Sequence, residues 1–323
     1  MDLSTVFGWG SLVPLFSSAV VLMIPIGLAA VGETFCQRTG ILNLGVEGMM
    51  LVGALMSFLA AFYSGSAWVG VAGGIVGGLA FGALKGLLSI TLKTEQVVSG
   101  IVIVLLAQGL TSYLYGSLFH IGSTPPRIEG LGPVAIPILA SIPGLGPVLF
   151  HQSVLVYLSV AVVVGVWWLL QKTTLGLHVR ATGDMPAAMD AAGVAVDRIR
   201  WLGIMVSGAM CGLAGSVLII GQLRLFAEHI TAGRGWIAIA LVIFGRWKPL
   251  WVFAGAGLFG LIDALQLRVQ ASSGGINSAV PFEVFQVMPY LMTLVVLVVA
   301  TARSQRDAQP ATLGTHFFKE GRN

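Results

Sequence analysis

The polar side chains best suited to chemistry lie in one short stretch between two apolar runs. Residues 32–48 hold two carboxylates, two amides and one guanidinium, on Glu33, Gln37, Arg38, Asn43 and Glu47. Carboxylate and amide oxygens accept hydrogen bonds and amide N–H groups donate them, so these side chains are able to bind a polar solute. Polar groups at this density are not tolerated against lipid, so we predict a broken or re-entrant element that lines a polar pathway. A plain turn followed by a capped helix is the alternative.

A second polar pair lies at the start of a later apolar run. Gln96 and Ser99 are three residues apart and therefore share one face of a helix. They either line the same pathway or join neighbouring helices by hydrogen bonds. Lys85, near the end of the preceding apolar run, is expected to extend its ammonium group to the membrane surface.

The sequence lacks the motifs of the common enzyme classes. It contains no GxxxxGK[ST], HExxH or GxSxG pattern. Gly255, Gly257 and Gly260 spell GxGxxG, but inside an apolar run rather than between a strand and a helix, so we reject a dinucleotide site. The five histidines and two cysteines show no metal-ligand spacing. We expect no catalytic residues, no cofactor and no metal site.

The composition is that of a membrane protein. Of the 323 residues, 56% are hydrophobic and 9% are charged, against about a quarter charged in soluble domains. Only helices satisfy so much backbone in lipid, and each span needs about 20 apolar residues. We predict an all-α polytopic protein of about 8–10 transmembrane helices, with residues 1–302 as the membrane domain and 303–323 as a flexible cytoplasmic tail. The net charge of +4 is too small to indicate a nucleic-acid partner.

Nine apolar runs mark the predicted spans: residues 9–31, 45–64, 67–92, 97–119, 153–170, 201–221, 235–244, 250–269 and 284–301. The seventh run is too short to cross as a straight helix, so it is re-entrant or is extended by its flanks. With nine crossings, most of the 17 basic residues fall on one face, which is then cytoplasmic. This places the N-terminus outside and the C-terminus inside, and we predict no cleaved signal peptide.

Five glycines recur at every fourth position of the third run. They are Gly70, Gly74, Gly78, Gly82 and Gly86. This spacing puts them on one helical face, where the missing side chains let a second helix come close. We expect this face to pack against another helix rather than to bind a ligand.

The longest loop on the basic face, at about residues 172–200, has the signals of a short helix. Asp184 before Met185 and Pro186 indicates an N-cap with proline in the first turn. Gly193 then ends a helix of about eight residues. Such an element either docks into another protein or is a passive connector.

This loop resembles the cytoplasmic coupling segment of ABC-importer permeases of the branched-chain amino acid, sugar and nucleoside superfamily, with its RAxGxNPxAAxxxGI-like pattern. Asp184 stands near the family's usual polar residue, and Met185 replaces its common asparagine. The matching residues are Arg180, Ala181, Gly183, Pro186, Ala187, Ala188 and Gly193.

Two other segments support the resemblance. The stretch GETFCQRTGILNLGVEGMMLVGA is similar to the nucleoside branch, although Cys36 replaces an acidic residue common in that branch. Its matching residues are Gly40, Asn43, Gly45, Glu47, Gly48 and Met49. The segment GWIAIALVIFGRWKPL, residues 235–250, resembles the family's GFxxIAVALLGxWxP pattern.

The resemblance implies a transmembrane permease subunit of an ATP-driven importer of nucleosides or related purine and pyrimidine solutes. It implies a bacterial inner membrane, two ABC ATPase subunits, a second and non-identical permease, and a periplasmic or lipid-anchored solute-binding protein. The helix at 186–193 would be the coupling helix. Sugar or branched-chain amino acid permeases remain alternatives, as does a stand-alone secondary transporter or channel. The sequence does not specify the exact solute.

Overall fold

The computed structural model describes residues 9–119, 126–137, 139–272 and 309–318, and the single positions 287, 291, 294 and 298. Its α-helices, in chain order, are α1 (Trp9–Gln37), α2 (Val46–Ser64), α3 (Ala67–Gly86), α4 (Gln96–Leu118), α5 (Leu145–Leu149), α6 (Val154–Lys172), α7 (Thr174–Asp184), α8 (Pro186–Ala191), α9 (Val196–Ser216), α10 (Arg234–Phe244) and α11 (Pro249–Ser272).

Shorter elements complete the described chain. Two π-helical stretches extend spans, Leu87–Thr91 after α3 and Val217–Leu223 after α9. Between α4 and α6 lie strand β1 (Pro133–Ala135), a 3-10 turn (Leu139–Ser141), α5 and strand β2 (His151–Ser153). The two strands pair antiparallel.

The prediction of an all-α polytopic membrane protein is confirmed. Among the described residues, seven helices are long and apolar enough to cross a membrane: α1, α2, α3, α4, α6, α9 and α11. The last predicted span, 284–301, lies outside the described residues except at positions 287, 291, 294 and 298. Those four positions are helical and exposed, as expected of one apolar face.

α2 and α9 form the centre of the bundle. Buried residues make up 83% of the most apolar window of α9 and 72% of that of α2, against 28% for α6. α9 packs against α1, α2 and α3. The peripheral helices instead expose large apolar side chains, which is the arrangement expected where lipid is the solvent.

Several connections meet at one end of this bundle. Arg38 Nε, just after α1, donates to the carbonyl oxygen of Trp247 at 3.0 Å, and Lys85 Nζ in α3 donates to the carbonyl oxygen of Gln96 at 2.6 Å. We name this end the basic end after cations that lie there: Arg38, Lys93, Arg180 and Lys248. The start of α1 and the β1–β2 hairpin lie at the opposite end, where Gln152 Nε2 donates to Ser17 Oγ at 3.0 Å.

The seventh predicted run crosses the bundle with the help of its N-terminal flank. Residues 224–233 start at the end opposite the basic end, where the Phe226 ring lies 5.0 Å from that of Tyr115. They lead inward to the start of α10, where the backbone N–H of Gly235 donates to Glu47 Oε2 at 2.6 Å. Of the two alternatives left by the sequence, the structure has the run extended by its flank.

The 172–200 loop contains two helices rather than one. The prediction that Asp184 is an N-cap is wrong, because Asp184 ends α7 and Met185 occupies the N-cap of α8 with φ −140°. The residue before proline avoids helical backbone angles, so the chain must leave the helix between α7 and Pro186. Gly193, with φ +83°, closes the segment in the left-handed conformation that glycine tolerates.

The glycine row of α3 lies against α9 and α2. A Cβ added at Gly78 would lie 2.6 Å from the backbone nitrogen of Gly212, and one at Gly86 would lie 2.6 Å from the Trp201 ring. Gly70, Gly74 and Gly82 likewise have atoms of α2, of α9 or of its π-helical extension within contact distance. α3 and α9 therefore approach backbone to backbone. Close van der Waals packing of this kind stabilises helix pairs in lipid, where the hydrophobic effect does not drive them together.

Residues 309–318, which we name the strap, dock at the basic end, whereas the sequence predicts a flexible tail. Pro310 is buried. The backbone nitrogen of Thr312 donates to the carbonyl oxygen of Gly183 at 3.0 Å, and that of Gly314 donates to the carbonyl oxygen of Gly40 at 3.0 Å. Polar composition suggested no packing partner here, but backbone hydrogen bonds place the segment without any apolar pattern.

We predict that Gly78→Ala destabilises the fold. The added methyl group would overlap the backbone of α9, and such overpacking lowers the free energy of unfolding by about 1–3 kcal/mol. The thermal unfolding midpoint in detergent should therefore fall. Gly165→Ala is the matched control, because no heavy atom of the described part of the chain lies within 4 Å of a Cβ built there. Equal midpoints for the two variants would contradict the close α3–α9 contact.

Candidate functional site

The Glu33 carboxylate, near the end of α1, is fully buried and accepts three hydrogen bonds. Gln37 Nε2 at 2.9 Å and the backbone nitrogen of Asn43 at 3.2 Å donate to its Oε1. Ser207 Oγ, in α9, donates to its Oε2 at 3.1 Å, and Asn43 Nδ2 donates to Ser207 Oγ at 3.2 Å. One carboxyl group thus joins α1, the α1–α2 turn and α9.

Trp247 extends these contacts to the turn after α10. Its Nε1 donates to Gln37 Oε1 at 2.7 Å. Its backbone has φ +54°, an uncommon angle for a bulky residue that the surrounding contacts must hold. We name the connected set the carboxylate network: Glu33, Gln37, Asn43, Ser207 and Trp247.

The donors to Glu33 are neutral. Within the described ranges, they are an amide, a hydroxyl and a backbone N–H group, and none is a cation. A buried polar group that loses its partner retains the full penalty of leaving water, so removal of one member is expected to disturb the others. The network therefore holds four parts of the chain in one arrangement: α1, the α1–α2 turn, α9 and the turn after α10.

Glu47 belongs to the first turn of α2, and its carboxylate lies against the N-terminus of α10. Its Oε1 accepts from Thr231 Oγ1 at 2.5 Å and from the backbone nitrogen of Gly233 at 2.9 Å, and its Oε2 accepts from that of Gly235 at 2.6 Å. The first N–H groups of a helix have no partner within the helix, and its dipole favours a negative charge there. Only glycine fits at 235, because a Cβ would lie 2.5 Å from the Cα of Glu47.

Lys85 is fully buried, which corrects the expectation that it reaches the membrane surface. Its Nζ donates to the carbonyl oxygen of Gln96 at 2.6 Å and to Ser99 Oγ at 2.7 Å, so oxygen acceptors inside the bundle replace water. Gln96 Oε1 in turn accepts from the backbone nitrogen of Leu42 at 2.7 Å. This cluster joins α3, α4 and the α1–α2 turn.

The structure buries all six residues predicted to line a pathway, each with at most 5% of its surface exposed. They are Glu33, Gln37, Asn43, Glu47, Gln96 and Ser99. The first three meet in the carboxylate network, the last two surround Lys85, and Glu47 lies apart at α10. α1 continues unbroken through Gln37, so residues 32–48 have the geometry of a helix end and a turn rather than of a broken helix.

A cleft of about 670 Å³ opens at the basic end. Arg38, Arg180 and Lys248 line it with positive charge, and Asp184 adds one carboxylate. Burial lowers the pKa of Arg38, while Asp184 opposes that shift and Arg180 adds to it. α8 forms part of the wall and has no buried residue of its own, so its surface is free to contact another protein.

The comparisons identify the family. The model of the branched-chain amino acid transport system permease component matches residues 15–297, which is most of the chain. The chain belongs to this family. The resemblance seen in the sequence is thereby confirmed.

Relatives of this permease support the same assignment along nearly the whole chain. A Haloferax volcanii protein provisionally named glucose ABC transporter permease protein TsgC13 is 37% identical over 97% of this chain and 99% of its own. The nucleoside ABC transporter permease protein NupC of Lactococcus lactis is 30% identical over 94% of this chain and 96% of its own. The guanosine ABC transporter permease protein NupQ of Bacillus subtilis is 30% identical over 94% and 95%. Each of these organisms also has a second, less similar relative named for the same solute.

A solved structure shares the fold. It is an inward-facing conformation of an ABC transporter provisionally assigned to the metal-chelate type. The TM-score is 0.52 with 16% sequence identity, over 94% of this chain and 88% of that one. This similarity supports the helical architecture of the permease.

Sequence reasoning missed several residues that hold the permease together. No local spacing links Ser207 to Glu33, Thr231 to Glu47 or Trp247 to Gln37, because the partners are 174 or more positions apart in every case. The start of α7 did have a local signal in the sequence, because threonine is a preferred N-cap residue. Thr173 caps α7, where its Oγ1 accepts from the backbone nitrogen of Gly176 at 3.1 Å.

We predict that Glu47→Gln loosens the start of α10. The amide nitrogen cannot accept a hydrogen bond, so one N–H group at Gly233 or Gly235 loses its acceptor, at a cost of about 1–3 kcal/mol. Hydrogen exchange at residues 233–237 should become faster and the thermal midpoint should fall. Glu129→Gln, an exposed carboxylate near the opposite end, is the control. Unchanged exchange in Glu47→Gln would contradict the capping role.

Proposed function

We propose that this ABC transporter permease imports nucleosides or related purine and pyrimidine solutes, driven by ATP hydrolysis on a separate chain. The observation that carries the proposal is the surface formed by α8 and the adjacent cleft. α8 is a short helix with no buried residue, and it lies between Met185, whose backbone departs from helical angles, and a left-handed Gly193, which suits docking on a partner.

The basic end supplies the docking surface for two ATPase subunits, one of which contacts this chain. The residues that form or flank α8 in this surface are Arg180, Ala181, Gly183, Asp184, Pro186, Ala187, Ala188 and Gly193. Positive residues concentrate on the cytoplasmic side of membrane proteins, so the basic end and the strap face the cytoplasm of a bacterial inner membrane. ATP-driven movement of α8 then shifts the bundle between outward-open and inward-open states.

The carboxylate network and the Lys85 cluster stand beside the translocation pathway in this proposal. Within each cluster the side chains are buried and hydrogen-bonded, so they reach a solute only after the helices rearrange. This is the behaviour expected of a closed gate, which alternating access requires on one side at a time.

A second, non-identical permease completes the pathway. In three organisms the relatives occur as two unequal proteins named for the same solute, which supports a pair of different permeases. A periplasmic or lipid-anchored binding protein delivers the solute at the opposite end.

Two relatives favour nucleosides and one favours a sugar. The proteins named for nucleoside and guanosine are each 30% identical to this permease, and the protein provisionally named for glucose is 37% identical. The residue pattern of 32–48, with Asn43 and Glu47, resembles the nucleoside branch and decides our choice. A sugar permease is the second candidate, on the strength of the higher identity.

We predict that Ala188→Asp uncouples transport without unfolding the chain. The new charge lies on exposed α8, so the thermal midpoint should stay unchanged. ATP-driven uptake should fall by about tenfold or more if α8 is the centre of the docking surface. Ala135→Asp, at an exposed position of β1, is the matched control. Normal uptake in Ala188→Asp would remove the coupling assignment.

We predict ATP-dependent uptake of guanosine by right-side-out vesicles that hold the intact complex with its binding protein. Vesicles are loaded with ATP or left without it, and uptake of tritiated guanosine is compared with that of labelled glucose. Uptake of glucose alone would favour the sugar alternative. Equal uptake with and without ATP would contradict the ABC assignment and favour a secondary transporter.

A further inference from the structure

We propose that the strap is a positioning element that makes the α7–α8 segment and the α1–α2 turn move together during transport. This inference rests on the proposed coupling role of α8. Thr312 and Gly314 are the positioning residues, because each bonds one of the two parts.

On the coupling side, Thr312 donates twice to a single acceptor. Its backbone nitrogen lies 3.0 Å and its Oγ1 lies 2.7 Å from the carbonyl oxygen of Gly183. Gly183 is in the last turn of α7, where carbonyl groups have no partner within the helix. The strap therefore satisfies the end of α7 directly beside α8.

On the other side, the strap bonds the turn that carries Asn43. The backbone nitrogen of Gly314 donates to the carbonyl oxygen of Gly40 at 3.0 Å. A tight turn keeps the two anchors at a fixed separation, since the backbone nitrogen and Oγ1 of Thr315 both donate to the carbonyl oxygen of Thr312, at 3.1 and 2.7 Å. Displacement of Gly183 is thus passed to Gly40.

A third contact ties the strap to the connection between α3 and α4. Lys93 Nζ lies 4.1 Å above the centroid of the Phe318 ring, a cation–π geometry. The strap thereby spans three separate connections of the basic end, next to both buried polar clusters.

Direct packing alone would not couple these parts in both directions. A Cβ added at Gly183 would lie 3.0 Å from the carbonyl carbon of Arg38, so the two backbones already touch. Such contact transmits a push of α7 toward the turn, because atoms resist overlap. A pull requires an attraction, and the hydrogen bonds of Thr312 and Gly314 supply it.

Arg200 shows why the arrangement needs this support. Its guanidinium is buried beside Gly40, and its Nε and Nη2 have no hydrogen-bond partner among the residues that the structure describes. A Cβ at Gly40 would lie 3.3 Å from Arg200 Nη2 and 3.1 Å from Thr312 Oγ1. An unsatisfied buried guanidinium disfavours the packed state, so the strap's bonds offset a local tendency to open.

The test compares two truncations in the intact complex. One chain ends at Ala308 and lacks the strap, and the control ends at Phe318 and lacks only residues 319–323. We measure whether the ATPase co-purifies with each chain. In proteoliposomes, we measure ATP hydrolysis and the uptake of labelled guanosine. Labelled glucose replaces guanosine if the substrate test favours the sugar. We expect the Ala308 chain to retain its ATPase and to hydrolyse ATP, while solute moved per ATP falls by about tenfold. The Phe318 control should match the full chain.

Two point variants separate positioning from general stability. Thr312→Val removes only the hydroxyl bond, so solute moved per ATP should fall by about threefold to fivefold. Thr312→Ser keeps both donors, so solute moved per ATP should equal that of the full chain.

Two results of the truncation would overturn the proposal. One is unchanged or increased solute moved per ATP in the Ala308 chain. The other is loss of the ATPase from that chain, which would make the strap a docking surface. Failure of the unaltered chain to retain an ATPase would instead refute the proposed function.

Discussion

A carboxyl group inside an apolar bundle must be surrounded by donors, and Glu33 imposes that requirement on the basic end of this permease. Its three donors come from α1, from the α1–α2 turn and from α9. Gln37 then brings in Trp247, and with it the turn that follows α10. Because no described cation shares the site, neutral donors must all be in place at once, and the helix ends are positioned relative to one another by that condition.

The rest of the bundle has to allow these polar contacts to form. The glycines of α3 let α9 sit almost backbone to backbone beside that helix, and α9 carries the Ser207 that donates to Glu33. Glu47 similarly fixes the start of α10 inside the bundle, which lets a helix of 11 residues complete a crossing that residues 224–233 begin. In this fold, small residues let the helices come close together. The buried polar groups then favour the one arrangement of these helices in which their hydrogen bonds form.

The sequence predicts the spans well because hydropathy over about 20 residues reports directly on a lipid environment. It also predicts the glycine row of α3, since a period of four defines one helical face. It misplaces Asp184, because the constraint that proline puts on Met185 overrides the capping preference of the carboxylate. It does not reveal the partners of Glu33, Glu47 and Lys85, since these contacts depend on tertiary packing and leave no local pattern. The strap is missed for the same reason.

In the proposed mechanism, the carboxylate network, the α7–α8 segment and the strap move as one unit. Hydrogen–deuterium exchange of the intact complex, with and without trapped ATP on the ATPase partner, tests it most directly. We expect residues 40–45, 183–193 and 312–315 to change protection together when ATP binds. A change confined to 183–193, with the other two segments unaltered, would contradict it.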